Sequence, residues 1–199
     1  MRKLLLSIAV LASVAIEATA RQDEFRNKHR TFSYSAMTMD RGDYKVKSNY
    51  GAAFTTTRTY FLHRKPIAGF MKFGIDATWF DISYNNYTAP IYIRDEADRS
   101  QIHQAEIGVQ AGLSLTFNPV DRLNIYIYGR YAPTFSAQYY NGISGNYAGY
   151  WIGGGSVSYG VFGLGAEYRT GDSNYVNFSE GGKIPTEMSG YRLYISLKF

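Results

Sequence analysis

The sequence predicts an all-β fold, an eight-stranded antiparallel transmembrane β-barrel, and three observations support this prediction. Residues 189–199 alternate strictly between apolar and polar side chains. Seven further segments repeat this period of two, and the resulting total of eight is even, as in bacterial single-chain barrels. Short polar breaks alternate with longer ones along the chain, which is the connection pattern of barrels that cross an outer membrane.

The C-terminal strand has the clearest pattern. One of its faces is entirely apolar or aromatic, with Tyr191, Leu193, Ile195, Leu197 and Phe199. Its other face carries Arg192 and Lys198 between smaller or polar residues. Because successive side chains of a strand point to opposite faces, one face suits lipid and the other suits a polar interior.

The other strands follow from the same period. Four segments alternate as clearly, at residues 71–79, 106–117, 123–131 and 161–169. Three weaker ones lie at 31–39, 49–62 and 150–159, the last interrupted by three consecutive glycines. We therefore predict short turns at 63–66, 118–122 and 159–160, and long loops at 40–48, 84–102, 136–149 and 170–188. An even number of strands places both termini at the short-turn end, which is periplasmic in outer-membrane barrels.

The N-terminus has the features of a secretory signal peptide. Arg2 and Lys3 precede an apolar run over residues 4–16, and small residues end it at Ala20. We expect residues 1–20 to be removed, residues 21–30 to form a flexible periplasmic lead-in, and residues 31–199 to form the barrel. The chain contains no cysteine, which excludes disulfides and a thiolate zinc site.

Composition restricts the partners. The formal net charge of +5 is mild and the basic residues are scattered, so we expect no nucleic-acid partner. The chain has 19 tyrosines and 20 glycines. Tyrosine suits membrane interfaces, because its ring is apolar and its tip is polar.

The predicted inward faces carry most of the charged side chains found in the strands. An eight-stranded barrel leaves an interior that side chains just fill, so buried charges need partners. We predict a closed, salt-bridged interior with a structural role, and a narrow pore for ions or small solutes is the alternative. The predicted ionic network consists of Lys72, Asp76, Glu106, Arg130, Glu167, Arg169, Arg192 and Lys198.

Across the whole barrel segment, the pattern of signal peptide, eight strands and terminal Phe199 resembles the small outer-membrane barrels typified by the transmembrane domain of outer membrane protein A and by the protein-X family. The Tyr- and Gly-rich composition is similar to Bacteroidetes members. The resemblance implies a structural or surface-interaction role in the outer membrane, with Phe199 as a C-terminal assembly signal for the barrel assembly machinery. It also implies contact with outer-membrane lipid and lipopolysaccharide. Loops rich in Tyr and Asn suggest an extracellular ligand.

An enzyme that modifies lipid A is a second alternative, because some small barrels of this kind use serine, histidine and carboxylate side chains. The candidates are His29, His63 and His103, of which only His103 lies near the outer rim, beside Ser100 and Glu106. The spacing lacks the His-x-Ser pattern of lipid A deacylases, so we expect no catalytic residues and no enzyme activity. The acidic loop at 94–98 lacks the glycine and ligand spacing of a calcium loop, so we expect no metal and no cofactor.

Overall fold

The computed structural model describes residues 25–89, 101–120, 122–140, 142–177 and 183–199, with only the backbone of Asn177. The predicted signal peptide at 1–20 and the acidic loop at 94–98 lie outside the described residues. The strands are β1 (Lys28–Asp40), β2 (Lys45–Phe61), β3 (Met71–Thr88), β4 (Gln101–Val120), β5 (Leu123–Tyr139), β6 (Ile143–Tyr159), β7 (Phe162–Asn177) and β8 (Lys183–Lys198).

The eight strands form one closed antiparallel sheet in chain order. β1 closes the barrel by pairing with β8, from His29 opposite Lys198 to Asp40 opposite Glu187. This confirms the predicted all-β, eight-stranded antiparallel barrel. Closure leaves no unpaired strand edge, so both sides of every strand are hydrogen-bonded. The described part of the chain contains no helix that is long and apolar enough to span a membrane.

Large apolar side chains cover the outside of the barrel and polar side chains fill its inside. In β8, Tyr191, Leu193 and Ile195 point outward with 54–61% of their surface exposed, and Arg192 between them is 1% exposed. The other strands repeat this arrangement, because each has a period of two. The outside is therefore suited to lipid rather than to water.

The strands continue past their predicted ends on the side of the barrel away from the termini. β5 runs to Tyr139 and β6 begins at Ile143, so residues 140–142 replace the long loop predicted at 136–149. The flanking strands likewise shorten the loops predicted at 40–48, 84–102 and 170–188. At the other end, residues 62–70 form a longer connection than the turn predicted at 63–66. Two residues join β4 to β5 and two join β6 to β7, as the predicted short turns require. The predicted contrast in connection length nevertheless holds only in part, because backbone pairing continues beyond the segments that alternate clearly.

β1 also begins earlier than predicted, inside the segment 21–30 that the sequence assigned to a lead-in. The N–H of Lys28 donates to the backbone oxygen of Phe199 at 3.2 Å, and the N–H of Phe199 donates to Lys28 at 2.8 Å. Phe25 packs edge-on against Phe61, with ring centroids 5.9 Å apart. Pairing with β8 thus extends the first strand through charged residues and fixes both ends of the barrel segment at the same rim.

A bulge in β3 changes which of its residues face inward. Between Thr78 and Asp81, β3 contains one residue more than β4, and the same shift appears against β2. Trp79 and Phe80 consequently both point outward, with 64% and 40% of their surface exposed. Asp81, which strict alternation would place outside, is only 3% exposed and lies in the interior.

Candidate functional site in the barrel interior

The structure places most residues of the predicted ionic network in the interior. Seven of them are buried there: Asp76, Glu106, Arg130, Glu167, Arg169, Arg192 and Lys198. Lys72 differs, because it is half-buried at the rim near the termini, where its Nζ lies 4.5 Å from the ring centroid of Phe25 and 5.1 Å from that of Phe61. It makes cation–π contacts there and has no carboxylate partner among the described residues.

Asp81 is the interior residue that the sequence analysis missed, because the bulge at Trp79 and Phe80 reverses its direction. With Asp81 inside and Lys72 at the rim, the described interior has as many carboxylates as cations. The carboxylates are Asp76, Asp81, Glu106 and Glu167, and the cations are Arg130, Arg169, Arg192 and Lys198. Because an unpaired buried charge costs several kcal/mol, this balance favours a stable closed interior.

The first cluster is centred on Asp76. The guanidinium of Arg130 donates to Asp76 Oδ2 from Nη2 at 2.8 Å and from Nε at 3.0 Å. Thr59 and Ser114 donate to the other oxygen at 2.7 and 2.8 Å, and Tyr126 also donates to Oδ2. Both oxygens of this fully buried carboxylate on β3 therefore accept hydrogen bonds from side chains of three other strands, β2, β4 and β5. These bonds fix the register of the four strands.

The second cluster joins two arginines through Asp81. Arg192 Nη1 lies 2.9 Å from Asp81 Oδ1, and Arg169 Nη1 lies 3.3 Å from Asp81 Oδ2. Arg192 also lies 3.6 Å from Glu167 Oε1. The guanidinium of Arg169 stacks over the ring of Tyr150 at 4.5 Å, while its N–H groups make no hydrogen bond among the described residues. Asp81 is thus the main counter-charge of two buried arginines.

The third cluster surrounds Glu106 with neutral donors. Tyr150 donates at 2.5 Å, Ser83 at 2.9 Å and Ser136 at 3.1 Å. Gln104 donates at 3.2 Å. Among the described residues Glu106 makes no ion pair, so hydrogen bonds from hydroxyls and an amide replace one.

Glycines on intervening strands leave room for these contacts. Gly112 lies in register between Asp76 on β3 and Arg130 on β5, so the ion pair crosses directly over it. Gly154 lies in the same way between Tyr128 and Glu167, whose hydrogen bond is 2.7 Å long. Small residues at these positions let large neighbours reach each other across a narrow interior.

Gly112→Ala is expected to destabilise the barrel by about 1–3 kcal/mol, the usual cost of overpacking a closely packed interior. A Cβ at this position would lie 2.0 Å from the backbone oxygen of Gly129 and 2.6 Å from Cα of Arg130. Gly129→Ala is the matched control, since an added Cβ there meets no atom within 4 Å. Urea unfolding midpoints of the two variants measure the difference, and equal midpoints would contradict this packing.

Side chains fill the interior around the first two clusters. A cavity lined by His29, Tyr126, Arg130, Glu167 and Tyr194, among others, has a volume of about 10 Å³, enough for a single water molecule. The rings of Tyr126 and Tyr128 lie 5.2 Å apart, and the guanidinium of Arg130 lies 3.8 Å from the Tyr128 centroid. These side chains leave little free space at the level of Arg130.

The three histidines lie apart from one another. His103 points outward and bonds Tyr84, with Nδ1 2.6 Å from the hydroxyl oxygen, while Glu106 points inward. His29 is buried inside, and His63 lies near the termini, bonded to the Lys65 carbonyl at 2.7 Å. Ser100 lies outside the described residues. The described part of the chain also has no group of three or more acidic, His or Cys side chains placed to hold a metal ion.

Comparison with known proteins identifies the fold but no family. No protein family and no curated protein matches the sequence. Neisserial surface protein A is 13% identical, with a TM-score of 0.50, and the match covers 86% of this chain and 97% of that one. Ail, the attachment invasion locus protein of Yersinia pestis, is 10% identical, with a TM-score of 0.44 over 88% of this chain and 100% of that one.

The outer membrane protease OmpT of Escherichia coli is a further structure with similarity to this chain. It is 9% identical, with a TM-score of 0.44 over 89% of this chain and 97% of that one. At these identities the likeness concerns the fold alone.

Proposed function

We propose that this protein is an integral β-barrel of the outer membrane of a Gram-negative bacterium, with a closed interior and a structural or surface-interaction role. The observation that carries the proposal is the reversal of polarity. Lipid-suited side chains such as Leu113 and Leu164 are 67% and 69% exposed, while four carboxylates and four cations are buried inside. Membrane barrels have this arrangement and water-soluble proteins do not.

Because the proposed interior is closed, we place the function at the two ends of the barrel and on its lipid-facing surface. Opposite the termini, the extended hairpin of β5 and β6 exposes Tyr139, Ile143 and Tyr147. Tyrosines on a rigid sheet bind partners with little loss of conformational entropy, which favours a surface-interaction role. We assign this end to the cell exterior and both termini to the periplasm.

The proposal also includes the barrel assembly machinery and the surrounding lipid as partners. Phe199 lies at the end of β8 with 43% of its surface exposed, which suits an assembly signal read by the barrel assembly machinery. Outer-membrane lipid and lipopolysaccharide would cover the apolar band. The abundance of Tyr and Gly favours a Bacteroidetes-type member of the small-barrel group.

Cell fractionation combined with heat-modifiable gel migration tests this proposal. We expect the protein in the outer-membrane fraction, and we expect unboiled samples to migrate differently from boiled ones because the closed sheet resists unfolding. A protein that remains in solution without detergent and shows no mobility shift would contradict the proposal.

A further inference from the structure

Three exposed cations lie together on the outside of the barrel at the rim that holds the termini. Lys28 and Arg30 lie on β1 and Arg58 lies on β2, and all three point outward. Lys28 is directly opposite Arg58 in the register of the two strands. Like charges opposite each other disfavour strand pairing, so an anion between them would stabilise this rim. We call these three residues the basic rim.

The described residues supply no carboxylate side chain to the basic rim. Four of their carboxylates are buried in the interior, and Asp40, Asp43, Asp172 and Glu187 lie at the opposite end. The Gly42 N–H donates to Asp40 at 3.0 Å, and Lys45 Nζ lies 3.2 Å from the same carboxylate. The end with Asp40 carries both signs, since Lys45 and Lys47 are also exposed there, whereas the described side chains of the basic rim carry only positive charge.

A groove connects the basic rim to the lipid-facing surface. It has a volume of about 380 Å³, and its walls include Arg30, Arg58, Trp79 and Phe199. The guanidinium of Arg30 lies 5.7 Å from the ring centroid of Phe199, and that of Arg58 lies 5.2 Å from the ring centroid of Tyr60. Stacking of this kind holds a guanidinium in place while its N–H groups stay available to an anion.

An aromatic track runs from the groove toward the middle of the barrel. At the level of the groove, Arg30, Thr56 and Phe80 lie side by side on β1, β2 and β3. One outward position further from the rim, Phe32, Phe54 and Ile82 lie side by side in the same way. The ring centroids of Phe32 and Phe54 are 4.9 Å apart, and those of Phe54 and Phe80 are 6.4 Å apart. Cations followed by a continuous apolar surface match the phosphate and acyl chain of one lipid molecule.

We propose that the basic rim and its groove bind an anionic phospholipid of the inner leaflet, such as phosphatidylglycerol or cardiolipin. The inference rests on the proposed function, since the site faces lipid only if the barrel lies in the membrane with its termini in the periplasm. Two arginines and a lysine supply the charge-assisted hydrogen bonds that a phosphate accepts. The acyl chain lies along the track from Trp79 to Phe32.

Fluorescence quenching of Trp79 tests the site directly. Trp79 and Trp151 are the two tryptophans of the chain, so W151F leaves a single reporter in the groove. The W151F protein is placed in nanodiscs of phosphatidylcholine containing equal fractions of brominated phosphatidylglycerol or brominated phosphatidylcholine. We expect the anionic lipid to quench Trp79 with at least about threefold higher apparent affinity.

Two double variants in the W151F background test whether the preference for the anionic lipid depends on the basic rim. Arg30→Gln with Arg58→Gln is expected to remove it, because the phosphate loses both guanidiniums. Lys45→Gln with Lys47→Gln, exposed on β2 at the opposite end, is the matched control and is expected to retain it. A preference for the anionic lipid that survives loss of both arginines would overturn the site. The site would also be overturned if added unlabelled lipopolysaccharide reversed the quenching and added unlabelled cardiolipin did not.

The same experiment separates this inference from the proposed function. Equal quenching by both brominated lipids would show that the barrel inserts but has no anionic lipid site. Absence of quenching by either lipid, together with a missing heat-induced mobility shift, would overturn both the membrane location and the lipid site.

Discussion

Asp81→Asn is expected to lower the free energy of unfolding by about 3–5 kcal/mol, the cost of removing one partner from a buried ion pair. Asp81 neutralises Arg192 at 2.9 Å and Arg169 at 3.3 Å. The asparagine keeps nearly the same volume but removes the charge, so both guanidiniums remain buried, and the ion pair of Arg192 with Glu167 at 3.6 Å is what remains to them among the described ion pairs. Urea unfolding in detergent micelles, followed by tryptophan fluorescence, measures the change.

Asp172→Asn is the matched control for this variant, because Asp172 is exposed on the outer face of β7. Its unfolding midpoint is expected to stay close to that of the wild type, since exposed charges contribute little to stability. If Asp81→Asn had the same midpoint as Asp172→Asn, Asp81 would not be the counter-charge of the two arginines.

Arg130→Met is expected to cost about 3 kcal/mol or more, because it removes the ion-pair partner of the fully buried carboxylate of Asp76. The double variant Asp76→Leu, Arg130→Met removes both charges and replaces them with apolar groups. Such replacements of a whole buried pair are often neutral or stabilising. We therefore expect the double variant to be more stable than Arg130→Met alone, with a coupling energy of about 2 kcal/mol.

The wild type, Asp76→Leu, Arg130→Met and the double variant form a double-mutant cycle, and one result of this cycle would contradict the expected coupling. If the losses of Asp76→Leu and Arg130→Met simply added in the double variant, the two side chains would not stabilise each other. Thr59, Ser114 and Tyr126 would then account for the stability contributed by Asp76.

The fold was predictable because its main signal is local. In 189–199 every second residue is apolar or aromatic, and a period of two in a strand directly gives two faces. The same pattern located the middle of the other strands. It failed at their ends, where pairs such as Ser136 with Asn146 extend the sheet through polar residues. Backbone pairing is a property of two strands together, so one segment alone does not reveal it.

The interior was less predictable because it depends on register. Asp81 faces inward only because the bulge places both Trp79 and Phe80 outside. Two adjacent large aromatic residues before a polar alternation, as in 79–85, were the available signal. The role of Gly112 between Asp76 and Arg130 required the pairing of three strands, which no single segment of sequence contains.

The proposed closed interior has a direct consequence for transport. Arginines from β5, β7 and β8 meet carboxylates from β3 and β7 across the interior, and tyrosine rings fill the space between them. An ion crossing the barrel would have to separate at least one of these pairs. A narrow pore, the alternative to the closed interior, therefore requires a rearrangement of the first two clusters.

Single-channel recording in planar lipid bilayers tests the closed interior most directly. The purified protein, shown by heat-modifiable migration to be folded, is added to the bilayer under an applied voltage in concentrated salt. If the ion pairs of Asp76 and Asp81 close the interior as proposed, we expect no steady conductance above that of the bare membrane. Discrete conductance steps of reproducible size would contradict the closed barrel and establish a pore.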